Sequence, residues 1–591
     1  MSSKEIMGKT KIKNSEKKQE TIIVKSKSNG IKSSSKESSS KRRNRIYMLI
    51  FILIGIIAGM FIGSLLTQFL INSNNNYYYY SAPVIQSHDP FVSEVTIKEV
   101  DTCTFRIIAS DPENNPLTYY WYVNGEQVGQ NQNFYTFYSG FNSSGITSIK
   151  VVVTDGTFNS EFIWTLTIED RIVRLFKNIN PSGSSSPSYL TIAGDNLFFS
   201  ATNGVNGTEL WVTDGTESGT RMVKDINPGS SNSAPMELTA IDDKVFFRAI
   251  NGVNGSELWV SDGTEDGTYL VEDIFPGSLG GLPEQLTKVG NTLYFSAKNE
   301  SGNIELWRSD GTQEGTYMVK DINPSGTSSI ECLTNVGEIL YFQADNGTND
   351  DELYRSDGTE AGTYLVKDLW YGGQSDPLNL INVNGILYFT AANETNNFEL
   401  WISDGTATGT YMVKDISPSG NPYISYLTDM NGILVFRADD DIHGYELWRS
   451  DGTVEGTYMI KDINTTISSY PEYFKVIDGY LYFRANDGTH GKELWRSDGT
   501  ESGTYMIKDI NPAGDGNPYL FTLLNNIVIF TAKNDSSNTE PWITEGTEES
   551  TTMLADINIS GGSFPSEYIN FNNMIFFKAN DGIHGTELWA Y

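Results

Sequence analysis

At one recurring position, 47 or 48 residues apart, seven aspartates stand directly before a Gly-Thr pair: Asp214, Asp262, Asp310, Asp357, Asp404, Asp451 and Asp498. A carboxylate at such a spot has two uses. It can accept backbone N–H bonds in an Asx-type turn whose glycine supplies a positive φ, or it can serve as an oxygen ligand for a hard cation. Regular recurrence favours the turn. Candidate calcium ligands lie instead in the most acidic loops, as Asp439, Asp440 and Asp441, then Asp487 and Asp581. No EF-hand spacing accompanies them, so a structural calcium is the one cofactor considered and none other is expected. His443, His490 and His584 occupy matching positions in separate repeats, which does not suit a shared zinc ion. Arg308, Arg355, Arg449 and Arg496 fall on one outer strand of their repeats, which excludes a common carboxylate clamp and leaves surface solvation. The chain has no nucleophile elbow, phosphate loop or His-Glu-x-x-His. The expectation is that it is not an enzyme. The competing class, a carbohydrate-active enzyme at a channel centre, needs inward acids, and Asp242 and Asp429 are single, unpaired candidates.

These residues belong to one recurring run. A clear copy reads Glu305-Leu-Trp-Arg-Ser-Asp-Gly-Thr-Gln-Glu-Gly-Thr-Tyr-Met-Val-Lys-Asp-Ile322. Its leading glutamate recurs as Glu209, Glu257, Glu305, Glu352, Glu399, Glu446, Glu493, Glu540 and Glu587, at spacings of 48, 48 and then 47 residues. A period so constant marks one supersecondary unit copied in tandem. Each copy holds four short strand-like runs, called a to d: in the third copy, 285–289, 292–297, 305–309 and 316–322. Four strands in 47 residues without helical periodicity predict a β-propeller blade. The tryptophans Trp211, Trp259, Trp307, Trp401, Trp448, Trp495, Trp542 and Trp589 are expected to pack between blades.

The ends of the array are informative. It opens at 172–179 with a lone d run and finishes at Glu587-Leu-Trp-Ala-Tyr591 with a c run that has no d after it. The first strand can therefore complete the last sheet, giving about nine four-stranded blades with one-plus-three closure. Closure removes free sheet edges.

The run resembles the ELWxxDGT tandem-repeat family of long microbial surface proteins, over residues 171–591. Tyr354 in place of Trp, Pro541 in place of Leu and Glu545 in place of Asp depart from the pattern. The resemblance implies a propeller-like fold and an extracytoplasmic setting, and it implies no activity. The Asp-Gly-Thr turn is similar to the Asp-box of sialidases, a c–d turn element that is structural there. Residues 83–170 read as an all-β sandwich with strands at 104–109, 117–123, 147–153 and 162–168. Residues 109–125 resemble the immunoglobulin-like PKD and cadherin-like domains. Glu113, Asn114 and Asn115 replace acids of that pattern, so the resemblance implies a spacer.

The N-terminal part differs in kind. Residues 1–45 carry fourteen Lys/Arg against four Asp/Glu, and the remainder carries 27 basic against 70 acidic residues. The basic segment has few apolar residues and is expected to be a disordered cytoplasmic tail. Residues 46–71 begin with an uncharged apolar run long enough to cross a bilayer, and Lys41 to Arg45 abut its start. Positive-inside bias then places the N-terminus in the cytoplasm and the bulk outside the cell, on a single-pass signal anchor. Gly55, Gly59 and Gly63 share one helix face, a pattern that lets a second helix approach and makes a homodimer an expected assembly. Residues 72–82 form a polar, tyrosine-rich stalk.

An outer part so acidic lacks the footprint of a nucleic-acid binder. Cys103 and Cys332 are the two cysteines, so no disulfide framework is expected. Asn142, Asn206, Asn254, Asn299, Asn346, Asn393, Asn464, Asn534 and Asn558 head Asn-x-Ser/Thr sequons, candidate glycan acceptors outside a membrane. Long b–c and d–a loops share one face of a propeller, where recognition usually sits. The expected function is a membrane-anchored binding or adhesion protein that presents its propeller to a protein or glycan. A structural envelope component is the alternative.

Overall fold

The computed structural model describes residues 81–591 apart from Val100, Gly140, Phe141, Asn142, Asn349, Asp350, Gly372 and Ser536. The tail, the apolar segment with Gly55, Gly59 and Gly63, and most of the stalk lie outside the described residues. Among the described residues no helix is long and apolar enough to cross a membrane.

Eight strands build the first region: β1 (Val84–Asp89), β2 (Glu94–Lys98), β3 (Thr102–Ser110), β4 (Thr118–Val123), β5 (Glu126–Gln130), β6 (Phe134–Tyr138), β7 (Gly145–Thr154) and β8 (Asn159–Glu169). They form two sheets, ordered β1-β3-β6 and β2-β8-β7-β4-β5. Sequence reading finds four of the eight. β2 and β5 escape it because they are short and half-exposed edge strands with little apolar signal. In β7 alternate residues are buried, the period of a strand with one face on a core. That core gathers Phe105, Trp121, Ile149, Val151, Trp164 and Leu166.

The repeats fold as nine four-stranded antiparallel sheets, each ordered a-b-c-d. Sheet 1 comprises Ser188–Ala193, Asn196–Thr202, Thr208–Thr213 and Arg221–Lys224. Sheets 2 to 9 begin at Met236, Glu284, Glu331, Leu378, Ser425, Glu472, Tyr519 and Ser566. The d strands are shorter than their apolar runs predict, because the chain leaves the sheet after the lysine. Sheet 9 takes its fourth strand from the start of the array: Arg174–Lys177 pairs with Thr586–Ala590, Leu588 opposite Lys177.

Strand b is buried on successive residues, as in Leu293 to Ala297, because both faces of each sheet are covered. Nine apolar clusters lie between successive sheets. One joins Phe571, Phe576 and Leu588 of sheet 9 to Leu197, Phe199 and Trp211 of sheet 1. The repeated tryptophans sit in these layers, as Trp259 does against Phe198 and Val212 of the preceding sheet. The architecture is a β-propeller-like repeat.

Polar links run in one direction around the array. The strand-d lysine of one sheet donates to a carbonyl in the c–d turn of the next: Lys224 to Thr268 (2.7 Å), Lys320 to Thr363 (2.6 Å), Lys414 to Thr457 (2.6 Å). Lys177 of sheet 9 does the same to Thr220 of sheet 1 at 2.6 Å. Two positions break the rule. Glu272 stands where the sheet 2 lysine belongs, with one carboxylate oxygen buried and unpartnered. Ala555 stands there in sheet 8, where the next sheet has no c–d turn to receive a lysine.

The four strand-c arginines reach across the same boundary. Arg308 lies 5.5 Å from the Tyr317 ring and donates to the Gly358 carbonyl of the next sheet at 3.3 Å. Arg449 and Arg496 repeat the arrangement towards Gly499 and Gly546. This corrects the surface-solvation reading: the partner lies one period away, so local sequence hides it. Gly358 meets two demands at once. Its φ is +87°, and a Cβ there would overlap the Tyr294 hydroxyl.

The sandwich docks where the array begins and ends. Arg171 donates to the Glu99 carbonyl (3.0 Å) and the Asn573 carbonyl (2.8 Å) and pairs with Asp101. Its guanidinium lies 5.7 Å from the Tyr591 ring.

Candidate functional site

The site begins with the first residue of the repeat. All nine leading glutamates are fully buried, at 0 % exposure. Each carboxylate accepts from the chain just past strand d, and most also accept from the crossing into the next strand a. Glu446 takes N–H bonds from Ile463 and Ser469, both 2.9 Å, and the Ser469 hydroxyl at 2.7 Å. Glu587 does the same across the array, to Ile179 (2.8 Å) and Ser185 (2.9 Å). Burial pushes Glu209, Glu257, Glu305, Glu352, Glu399, Glu446 and Glu493 up to about 7, against the pull of their donors. Glu540 and Glu587 are also raised by burial. Sequence reading assigns these glutamates no task. The signal was a charged residue, never replaced, at the head of an apolar run that reads Leu-Trp in seven of the nine copies.

What the glutamates hold is the d–a crossing, which has two left-handed positions in every repeat. The first is Ser186, Ala234, Leu282, Ser329, Asp376, Tyr423, Tyr470, Asn517 and Phe564, with φ from 42° to 50°. The second, three residues on, is Tyr189, Glu237, Gln285, Cys332, Asn379, Tyr426, Tyr473, Leu520 and Glu567, with φ from 55° to 62°. Asn and Asp tolerate this region and bulky residues do not. The repeat keeps its outer half nearly constant and changes these two positions from sheet to sheet.

Five of the second set line one cavity. A cavity of about 620 Å³ is lined by strand a of sheets 1 to 5, including Tyr189, Glu237, Gln285, Cys332 and Asn379. Several of these bridge to the next strand a: Glu237 accepts from the Leu286 N–H (3.2 Å), and Gln285 from that of Leu333 (3.3 Å). Asp242 and Asp429 do not serve as channel acids. Asp242 lies in an a–b turn, and Asp429 accepts from the Gly432 N–H of its own turn at 2.7 Å.

Sheets 6 and 7 differ from the others, because both left-handed positions are tyrosine. Tyr423 and Tyr470 are 59 % and 41 % exposed. Tyr445 links them, its ring 6.1 Å from Tyr423 and stacked at 5.1 Å on Tyr470. Cations from strand b brace the rings: Arg437 lies 4.9 Å from Tyr426 and 5.2 Å from Tyr445, and Arg484 lies 4.4 Å from Tyr473. Glu472 collects Arg437 (3.2 Å), Arg484 (2.7 Å) and Lys492 (3.1 Å). These bonds keep Glu472 ionised below the usual glutamate range, against its burial. A second cavity of about 460 Å³ opens beside Tyr470, lined by His443, Asp462, Asn464, Thr466 and Ser468.

The c–d aspartates close their own turns. Asp310 accepts from the Thr312 N–H (2.9 Å) and hydroxyl (2.7 Å), and these bonds hold its carboxyl below the usual range. The candidate calcium ligands are engaged within their loops. Asp440 accepts from the His443 N–H at 2.8 Å and meets its Nδ1 at 2.8 Å, as Asp487 and Asp581 meet His490 and His584. Asp439 accepts from the Asp441 N–H, and Asp441 from Ser417 and Ser419. Among the described residues no group of three or more His, Cys, Asp or Glu could hold a metal ion.

The sequons are unequal. Asn464 is 2 % exposed, which closes it to a glycan on the folded chain and corrects its place among the acceptors. Its side-chain oxygen holds the d–a loop through Thr466. Asn206 and Asn254 donate to Asp225 (2.9 Å) and Asp273 (2.7 Å). Asn299, Asn346 and Asn393 accept bonds from their own loops, Asn558 donates to the Gly562 carbonyl, and Asn534 is exposed. Asn142 lies outside the described residues.

No protein-family model and no curated protein matches the chain. Solved structures similar to it include a puromycin hydrolase, 12 % identical over 61 % of this chain and 60 % of that one, with a TM-score of 0.33. Prolyl oligopeptidase B from Galerina marginata is 12 % identical over 61 % and 57 %, with a TM-score of 0.37. A quinonprotein alcohol dehydrogenase-like protein from Bacteroides thetaiotaomicron is 10 % identical over 73 % and 98 %, with a TM-score of 0.25. The chain spans about 60 % of the length of the puromycin hydrolase. The likeness is one of fold alone. The presence of hydrolases in this company nevertheless overturns the sequence-based exclusion of enzymatic activity. The physical reason is that motif reading covers neighbours in sequence, whereas the fold brings strand a of five successive sheets to one cavity.

Proposed function

We propose that this chain is a cell-surface recognition protein, a nine-bladed β-propeller with one-plus-three closure held outside the membrane on a sandwich spacer. The observation that carries the reading is the contrast inside each repeat. Turn aspartates, tryptophans, lysines and buried glutamates recur, while the two left-handed positions that the glutamates present change from blade to blade. Constant scaffold with variable presented residues is how binding surfaces are built. The apolar segment at 46–71 and its basic flank supply the anchor, with the N-terminus inside. The surface-protein resemblance of the repeat agrees with that setting.

The test has two parts. Protease added to intact cells should remove a C-terminal epitope and spare an N-terminal one. The full chain in detergent should then bind a subset of a surface-protein and glycan array, and changing Tyr423, Tyr470 and Phe564 to serine together should abolish that binding. Protection of the C-terminal epitope would sink the topology, and array binding indifferent to the triple change would sink the recognition face.

A further inference from the structure

Resting on the recognition reading above, we infer that blades 6 and 7 form a binding subsite for a neutral oligosaccharide, with the Tyr423–Tyr445–Tyr470 platform as its floor and the cavity beside Tyr470 as its polar end.

Three observations converge. The first is residue choice. A left-handed residue costs least as Gly, Asn or Asp, and Asp376, Asn379 and Asn517 show that the repeat accepts such residues. All four left-handed positions of the d–a crossings into blades 6 and 7 are tyrosine instead. The second is pre-organisation. Tyr426 and Tyr445 are braced by Arg437, Tyr473 by Arg484, and Lys492 lies 5.8 Å from the Tyr470 ring. Rigid, half-exposed aromatic rings offer contact area at little further entropy cost. The third is the polar end. The cavity of roughly 460 Å³ beside Tyr470 is lined by His443, Asn464, Thr466 and Ser468, and the Asp462 oxygen in its wall is buried without a hydrogen-bond partner, as are the matching oxygens of Asp225, Asp273 and Asp509 in other repeats.

Charge decides between neutral and acidic sugars. Arg437, Arg484 and Lys492 all turn to Glu472, so none is left as a clamp for a sulfate or carboxylate. The whole chain carries −33, which repels an anionic polymer. The exposed Tyr423 ring and the open side of the stacked Tyr445–Tyr470 pair, beside a mixed set of acceptors and donors, match the alternating C–H and O–H surface of a neutral sugar.

The experiment is an array of neutral oligosaccharides (gluco-, manno-, xylo- and chito-oligomers) with sulfated and sialylated glycans as a second arm, probed with the full chain in detergent. Binding to one or more neutral classes is expected. Tyr470→Ala with Tyr423→Ala should weaken it at least tenfold, and Tyr371→Ala, at an exposed tyrosine outside the platform, should not. Circular dichroism and Tm keep a folding defect distinct from a binding one, and Tyr470→Phe should retain most of the binding. Neutral-glycan binding insensitive to the double variant overturns the site. Binding confined to acidic glycans overturns the ligand class. Binding to surface proteins and to no glycan overturns the inference and leaves the recognition reading standing, whereas silence on every arm overturns both.

Discussion

The outer and inner halves of each repeat are built to different rules. Strands c and d and their turn are copied almost letter for letter, because their side chains are spent on neighbours: tryptophan between sheets, arginine and lysine on the next turn, aspartate on its own turn. The d–a crossing and strand a are held from beneath by a buried glutamate, and their own side chains are free to differ. Blades 2 and 3 use that freedom for residues that bridge to the next strand a, Glu237 to Leu286 and Gln285 to Leu333. Blades 6 and 7 use it for a braced group of tyrosines. One period thus carries a mechanical half and an addressable half, and the buried carboxylate joins them.

The largest effect should come from changing every joint at once with pH. A carboxyl whose folded pKa is raised gives its full stability below its unfolded value, near 4.5, and loses it as pH rises through about 7. His443 and His490, raised by their aspartates, act in the same sense above their ordinary value of 6.5. The exposed turn aspartates are lowered and act oppositely, withdrawing support as pH falls below 3.8. Tm should therefore peak near pH 5 and be clearly lower at pH 8, measured by calorimetry at constant ionic strength. A flat profile between 5 and 8 would show that the glutamates stay ionised in the fold.

Breaking one joint comes next. Glu446→Ala orphans the Ile463 and Ser469 N–H groups in a closed site, at roughly 3 kcal/mol or more by denaturant unfolding. It should also weaken glycan binding, since Tyr470 follows Ser469 directly. Loss of stability without loss of binding would separate the two halves again. Glu352→Gln sharpens the point. One Glu352 oxygen is unpartnered, so the amide fits, and this variant should lose part of the decline from pH 5 to 8.

A smaller gain is expected from Glu272→Lys, which restores the one lysine link missing between two complete blades. The new donor would reach the Thr316 carbonyl and replace a buried, unpartnered oxygen, for a gain of about 1 kcal/mol. Unchanged or reduced stability in chemical denaturation would mean that the links are not equivalent around the array. Asp451→Ala, in an exposed turn, should cost about 1 kcal/mol or less.

The sequence makes the mechanical half easy to read and the addressable half hard. Strand number and the order a-b-c-d follow from the 47-residue period, and the lone run at 172–179 announces that it needs a partner. The arginines were misread because Gly358 and Gly499 lie about fifty residues beyond Arg308 and Arg449. The glutamates were passed over because a charge inside an apolar strand has no local explanation. The Ile463 and Ser469 donors arrive only when the crossing folds back. Tyr423, Tyr445 and Tyr470 are scattered over one period and become neighbours only through the left-handed turns. In the sandwich, β1, β2, β5 and β6 were missed, and all four are edge strands.

The pairing of Arg174–Lys177 with Thr586–Ala590 sets a clock on synthesis. About 400 residues separate the two strands, so at roughly 5–20 residues per second the first waits some 20–80 s for its partner to leave the ribosome. Throughout that interval Leu175 and Phe176 form a sticky edge with nothing beside them. Arg174 and Lys177 bracket that pair with positive charge, the placement that discourages nascent chains from joining edge to edge before sheet 9 is complete.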